Sequence, residues 1–262
     1  MILAILGQKI TTMEYKAFHK LSYGLYIIAS EFEGKMAGYI GNTAFQVTSS
    51  PAQVAVSCHK NNDTCAVILN SAVFSLSVLR KEVSTSLIGE FGFMASSEIN
   101  KFAKIKVETH ATGAPIVVDS VVAWFECRVV QTLDVGTHIL IIGEVVDSRL
   151  LLDEEPLTYG YYREKYKMLA PRNAPTYIEK EKLEAENKPV VKNGESKLIS
   201  ADNDLGGDDY EHFICAICGY VYRPENGDLS IGIPPDTPFG DLPGDYRCPI
   251  CNAGKDYFKP LR

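Results

Sequence analysis

Two Cys-x-x-Cys pairs, Cys215/Cys218 and Cys248/Cys251, stand near the end of this 262-residue sequence. Four thiolates delivered as two pairs can close a tetrahedral cage around one metal ion, and the ligand set by itself admits zinc or iron. The surroundings decide between them. The segment FICAICGYVYRPENGDLSIGIPPDTPFGDLPGDYRCPICNAGKDYF supplies Phe213, Tyr220, Tyr222, Phe239, Tyr246, Tyr257 and Phe258 beside the pairs. A dry aromatic shell around sulfur tunes a redox potential, which a structural zinc does not have. Iron is the expected ion, moving one electron at a time.

A one-electron centre has no means of accepting a hydride, so a converter is needed upstream, and flavin is the natural one because it takes electrons in pairs and releases them singly. The sequence has neither G-x-G-x-x-G after a strand nor a P-loop, so a nucleotide phosphate must be held differently. One candidate is SCHKNNDT, where Ser57 and Thr64 offer hydroxyls, Asn61 and Asn62 amides and Lys60 a charge at the start of a helix. Asp63 is an unfavourable neighbour there unless it turns away, and a solvated turn is the alternative reading. A second candidate is GNTAFQVTSSP, with Asn42, Thr43, Gln46, Thr48 and Ser49 in one strand and its turn. A flat apolar ring with polar edges wants such donors along a strand; a polar outer face is the alternative. His138 is the histidine expected beside a flavin, as a neutral donor or as a residue packed on a strand; His19, His59, His110 and His212 are expected at the surface or behind the site. Tyr159, Tyr161 and Tyr162 either cover the cofactor or close the core, and Trp124 is expected to pack, within the barrel or at a contact between subunits.

The elements that must position these residues read as strands. From about Leu21 to Leu152 the runs LYIIAS, 37–49, QVAVSC, VFSLSVL, IKVET, VVAWFECRVVQTL and HILIIGEVV are rich in Val, Ile, Thr and aromatics. Seven or so strands with few helices, one capped by Asn62 and one by Ser84, predict a closed sheet rather than a doubly wound one. Between Pro171 and Asp209 the composition turns to proline, alternating charge and glycine, which predicts a tether. Met13 is a candidate native start, because the strand pattern begins only after it.

A formal charge of −7 excludes a basic nucleic-acid footprint. No apolar stretch is long enough for a membrane span. The three remaining cysteines, Cys58, Cys65 and Cys127, do not form a disulfide framework, and thiolates held on a metal suit a reducing, cytoplasmic interior.

The stretch from Phe213 to Leu261, with CAICGYVY, ENGDLSIGIPPDTPFGDLPGDYRCPIC and AGKDYF, resembles rubredoxin. It departs from the usual family pattern at Tyr246, where Trp is common, and at Asn252, where Gly is common. The stretch from Leu21 to Ile178, with GNTAFQVTSSP, CHKNNDT, LIGEFGF, TGAPIV, DVGTHILIIGEVVD and PLTYGYY, resembles the FMN-binding split barrel of the flavin reductase family. Together they are similar to high-molecular-weight rubredoxins. The resemblance implies a mainly β fold: an FMN-binding split β-barrel with a few short helices over residues 1–170, a linker over 171–209 and a small rubredoxin domain over 210–262. It implies flavin contacts at Asn42, Thr43, Gln46, Val47 and Thr48, and phosphate contacts at Lys60, Asn61, Asn62 and Thr64. Met94 and Ala95 stand where relatives often carry Lys and a small polar residue.

The expected activity is an NAD(P)H oxidoreductase passing electrons through FMN to an iron held by Cys215, Cys218, Cys248 and Cys251. The resemblance further implies a homodimer and an electron-accepting partner, a flavodiiron protein reducing nitric oxide or oxygen. The alternatives are a free flavin or ferric reductase with an accessory rubredoxin domain, and a non-enzymatic electron carrier or zinc-ribbon adaptor.

Overall fold

Period-two patterning between Tyr26 and Leu150 builds a seven-stranded antiparallel sheet, seen in the computed structural model. Residues 13–166, 173–176, 211–216, 220–228, 231–249 and 253–261 are described. Residues 1–12, most of the expected tether, and Cys218, Cys251 and Asn252 lie outside the described residues.

The elements run β1 (Tyr26–Phe32), β2 (Lys35–Gly41), β3 (Ala44–Ser49), β4 (Ala52–His59), α1 (Asp63–Ser71), β5 (Val73–Leu79), α2 (Thr85–Phe93), β6 (Val107–Glu108), β7 (Ile116–Val117), β8 (Val121–Asp134), β9 (His138–Leu150) and α3 (Tyr159–Tyr166). The main sheet has the order β2-β1-β5-β8-β9-β4-β3. Its two edge strands are therefore consecutive in sequence, joined only by Asn42 and Thr43. The run 37–49, which the sequence presents as one strand, is split at this point as the chain crosses from one sheet edge to the other.

Turn chemistry fixes the register elsewhere. Glu33 and Gly34 both have positive φ, 52° and 76°, the combination that lets a two-residue hairpin follow the twist of β1 and β2. Helix α1 starts as expected, with Asn62 Oδ1 accepting from Thr64 N at 3.0 Å. Ser84 occupies the N-cap position of α2 but makes no capping hydrogen bond with its side chain.

The core lies on both faces of the sheet, so neighbouring residues of β1 enter different clusters. Ile28 packs with Val56, Ile68, Phe74 and Ile141. Ile27 packs with Leu79, Leu87, Phe91 and Val121. Burying each such side chain contributes roughly 1.5–3 kcal/mol. In strand β5, Ser75 and Ser77 are as buried as Phe74 and Leu76. The strand is central, between β1 and β8, and Ser75 resolves its polarity by donating to Pro115 O at 2.6 Å. Trp124 is fully buried and stacks on His110 at 5.1 Å, so its role within the chain is packing.

The C-terminal segment forms its own sheet, β11-β10-β12, from β10 (Phe213–Cys215), β11 (Val221–Tyr222) and β12 (Phe258–Pro260). Among the described residues no helix is long and apolar enough to cross a membrane.

Candidate functional site

Around the crossing at Asn42 and Thr43, polar side chains converge. Asn42 is buried and donates from Nδ2 to Thr176 Oγ1 at 2.6 Å, while its Oδ1 accepts from Thr43 Oγ1 at 3.2 Å. Strand β3 ends the sheet, so one edge of Ala44–Ser49 has no strand beside it among the described residues. Its amides are open to a ligand or another chain. Gln46 donates to Thr48 O at 3.3 Å, and Gln46 and Val47 are exposed. Gln46 borders a groove of about 550 Å³ with Tyr26, Phe45, Val54 and Phe125.

A second cavity, about 340 Å³, has Tyr39, Ile40 and Gly41 of β2 on one wall and Phe91, Phe93 and Met94 at the end of α2 on another. Its polar rim carries Ser57, Asn61, Asn62, Ser96 and Lys101. Polar groups converging beside aromatic walls suit the polar end of a ligand. The sequence motif SCHKNNDT thus delivers Asn61 and Asn62 to this cavity. Thr64, the second residue of α1, is fully buried and its hydroxyl has no partner among the described residues. Lys60 is placed elsewhere: its ammonium pairs with Asp134 at 2.6 Å, both side chains being well exposed. Asp63 borders the same cavity, and its carboxylate accepts from Ser97 N at 2.8 Å, drawing the 96–98 loop to the start of α1.

His138, at the start of β9, is buried. Its Nε2 lies 3.2 Å from Asn173 O and its Nδ1 2.8 Å from Thr137 Oγ1. Those partners assign the neutral ring that donates from Nε2 and accepts at Nδ1. Burial lowers its pKa, opposed by the Asn173 hydrogen bond and assisted by His59, whose ring meets it edge-on at 4.8 Å. Residues 173–176 thereby bond to both Asn42 and His138. Tyr162 is core; Tyr159 stacks on it at 6.0 Å and accepts from Thr176 at 3.4 Å, and Tyr161 donates to Glu82 at 2.7 Å.

At the other expected centre, Cys215 and Cys248 are buried at 1% and 2% exposure. Cys215 N donates to Tyr220 O at 2.7 Å and Cys248 N to Ala253 O at 2.8 Å, the same five-residue closure in both halves. The two closures place Cys215 and Cys248 at matching ends of five-residue spans. Phe239 stacks on Phe213 at 4.1 Å and lies 5.1 Å from Phe258. Tyr246, in place of the usual Trp, is 97% buried and meets Tyr222, Phe239 and Phe258 at 5.7–6.2 Å. Burial raises the pKa of Tyr246 and of Tyr220, so both stay neutral. This setting fits an iron.

The barrel and the cysteine turns find their counterparts in known proteins. Residues 18–170 match the flavin reductase like domain family and residues 212–258 match rubredoxin. The high molecular weight rubredoxin of Moorella thermoacetica is 41% identical over 249 residues, 95% of this chain and 100% of that protein. The chain belongs to the high-molecular-weight rubredoxins. A ferric-chelate reductase (NAD(P)H) of Archaeoglobus fulgidus is 47% identical over 167 residues, 64% of this chain and 99% of that one. A solved structure from Haemophilus somnus, described as a flavin reductase, aligns with a TM-score of 0.51 at 26% identity, covering 55% of this chain and 90% of that one. This high-molecular-weight rubredoxin is an NAD(P)H-dependent oxidoreductase whose paired domains carry FMN and iron.

Sequence reasoning passed over Lys101, Ser96 and Asn173. Ser96 and Lys101 sit in the unremarkable run SSEINKF, and only the fold carries that run back to β2 and α1.

Proposed function

We propose that this chain takes reducing equivalents from NAD(P)H in its barrel and delivers them singly, through the cysteine-bound iron, to a partner protein. The observation that carries the reading is the pairing of both modules in one chain that matches a high molecular weight rubredoxin over that relative's whole length. Flavin supplies the change from paired to single electrons, and iron supplies the relay. The chain's residues do the positioning. Asn42, Thr43, Gln46, Val47 and Thr48 border the ring along the open edge of β3. Asn61, Asn62 and Thr64 hold the phosphate end, and Cys215, Cys218, Cys248 and Cys251 hold the iron. His138, neutral and fixed by Thr137 and Asn173, orients the nicotinamide without exchanging a proton.

A flavodiiron protein reducing nitric oxide or oxygen is the proposed acceptor, reached by a rubredoxin domain (210–262) on a tether (171–209) from the barrel (1–170). The protein works as a cytoplasmic homodimer. The exposed Phe45 and Val47 beside the apolar groove support an interface there.

Anaerobic rapid mixing with NADH or NADPH tests the circuit. Flavin absorbance should bleach first and the red iron absorbance afterwards; flavin bleaching alone, with iron remaining oxidised, overturns the proposal. A second reading, ferric reduction by the barrel itself, is favoured by the 47% identity to the ferric-chelate reductase. It predicts ferric-chelate turnover that survives deletion of 210–262.

A further inference from the structure

The cavity between β2, α1 and α2 has an unusual charge balance. Among the described residues lining it, Lys101 is the cation, facing Asp63 and Glu98. Lys101 is 97% buried and donates to Gly38 O at 2.8 Å, using one of its three ammonium protons. Asp63 on α1, Glu90 on α2 and Glu98 on the following loop favour its charged form, yet none forms an ion pair with it among the described residues. Desolvation outweighs them and holds its pKa at about 8. A buried ammonium without an ion-pair partner, bordering a cavity, is expensive unless an anion comes to it.

The same cavity has Ser57, Ser96, Asn61 and Asn62 on its rim, and α1 begins behind them with the buried, unpartnered hydroxyl of Thr64 in its first turn. First-turn amides and hydroxyls favour a phosphate oxygen. Asp63 stays in the lining, with one carboxylate oxygen engaged by Ser97 N.

We infer that Lys101 is the cation that reads the flavin phosphate, so that this chain distinguishes FMN from riboflavin through a single buried ammonium. The inference rests on the flavin reading above and deepens it. Removing Lys101 changes the formal charge of the lining from −1 to −2, adding repulsion to the lost hydrogen bonds.

Titration of flavin-free full-length protein with FMN and, separately, with riboflavin, followed by quenching of flavin fluorescence, tests it. Lys101→Met should weaken FMN binding by about 10-fold to 100-fold, the range of one charge-assisted hydrogen bond, while riboflavin binding changes about 2-fold or less. Lys101→Arg should retain most of the preference for FMN. Equal loss for both flavins would assign Lys101 a structural role and overturn the inference, as would undiminished FMN binding by Lys101→Met. If unmodified protein binds neither flavin, the flavin reading fails first.

Discussion

Lys101→Met should change how the stability of flavin-free protein depends on pH. Burial holds the folded ammonium near 8, against about 10.5 in the unfolded chain. At pH 7 keeping that charge in the fold costs about 3 kcal/mol, the difference of 2.5 pKa units. The folded pKa is depressed, so between about 8 and 10.5 the unfolded chain binds more protons and stability rises with pH. At pH 9.5 the unfolded lysine is still mostly charged and the folded one mostly neutral, which reduces the cost to about 1.4 kcal/mol. The stability gap between wild type and Lys101→Met should therefore shift by about 2 kcal/mol in favour of wild type between pH 7 and 9.5. The lost bond to Gly38 O enters equally at both pH values and cancels. Urea unfolding followed by Trp124, the single tryptophan of the chain and fully buried in the barrel, isolates the relevant domain. Parallel stability curves for the two proteins would refute the reasoning. FMN should flatten the wild-type curve, since its phosphate restores the charged lysine.

Four further outcomes follow from particular contacts. Gly143→Ala places a methyl group 2.5 Å from Phe74 Cε1 and 2.8 Å from Cys127 Cβ, both fully buried, and should destabilise the barrel by about 1–3 kcal/mol in a Trp124-monitored melt. Glu126 accepts from Ala111 N, Thr112 N and Thr112 Oγ1 at 2.6–3.0 Å; Glu126→Gln turns a donor toward these donors, costing about 1–3 kcal/mol and exposing the Ala111 and Thr112 amides to hydrogen exchange. His138 has a depressed pKa, so its contribution is present above its ordinary value of 6.5 and is lost as pH falls through the folded value; His138→Gln should lose less stability than wild type between pH 7 and 5 by urea midpoint. Residues 208–262 carry nine acidic and five basic side chains, a net −4, so electron transfer to a basic partner surface should slow as salt rises in stopped-flow measurements.

The cysteine spacing and the aromatic residues beside it were legible because the relevant contacts are short in sequence: Cys215 closes on Tyr220 and Cys248 on Ala253. Strand content was legible for a similar reason, since period two is a local property; so was the cap at Asn62, whose partner is two residues away. The limits were equally physical. Patterning made 37–49 one strand because both halves alternate alike, and nothing local marks Asn42 as the place where the chain changes sheet edge. In β5 the alternation of Phe74, Leu76 and Val78 leaves the burial of Ser75 and Ser77 unannounced, because alternation reports one buried face, not two.

By itself the amino-acid sequence determined that there are two modules, that one binds a metal through thiolates and that the other is mainly β, because ligand type, spacing and periodicity act over a few residues. Tertiary structure alone decided which charge serves the cavity. Lys60, adjacent to the motif, is drawn off by Asp134, whereas Lys101, about forty residues away, is carried in beside Gly38. Electrostatics depends on distance through space and on burial, and the folded chain sets both.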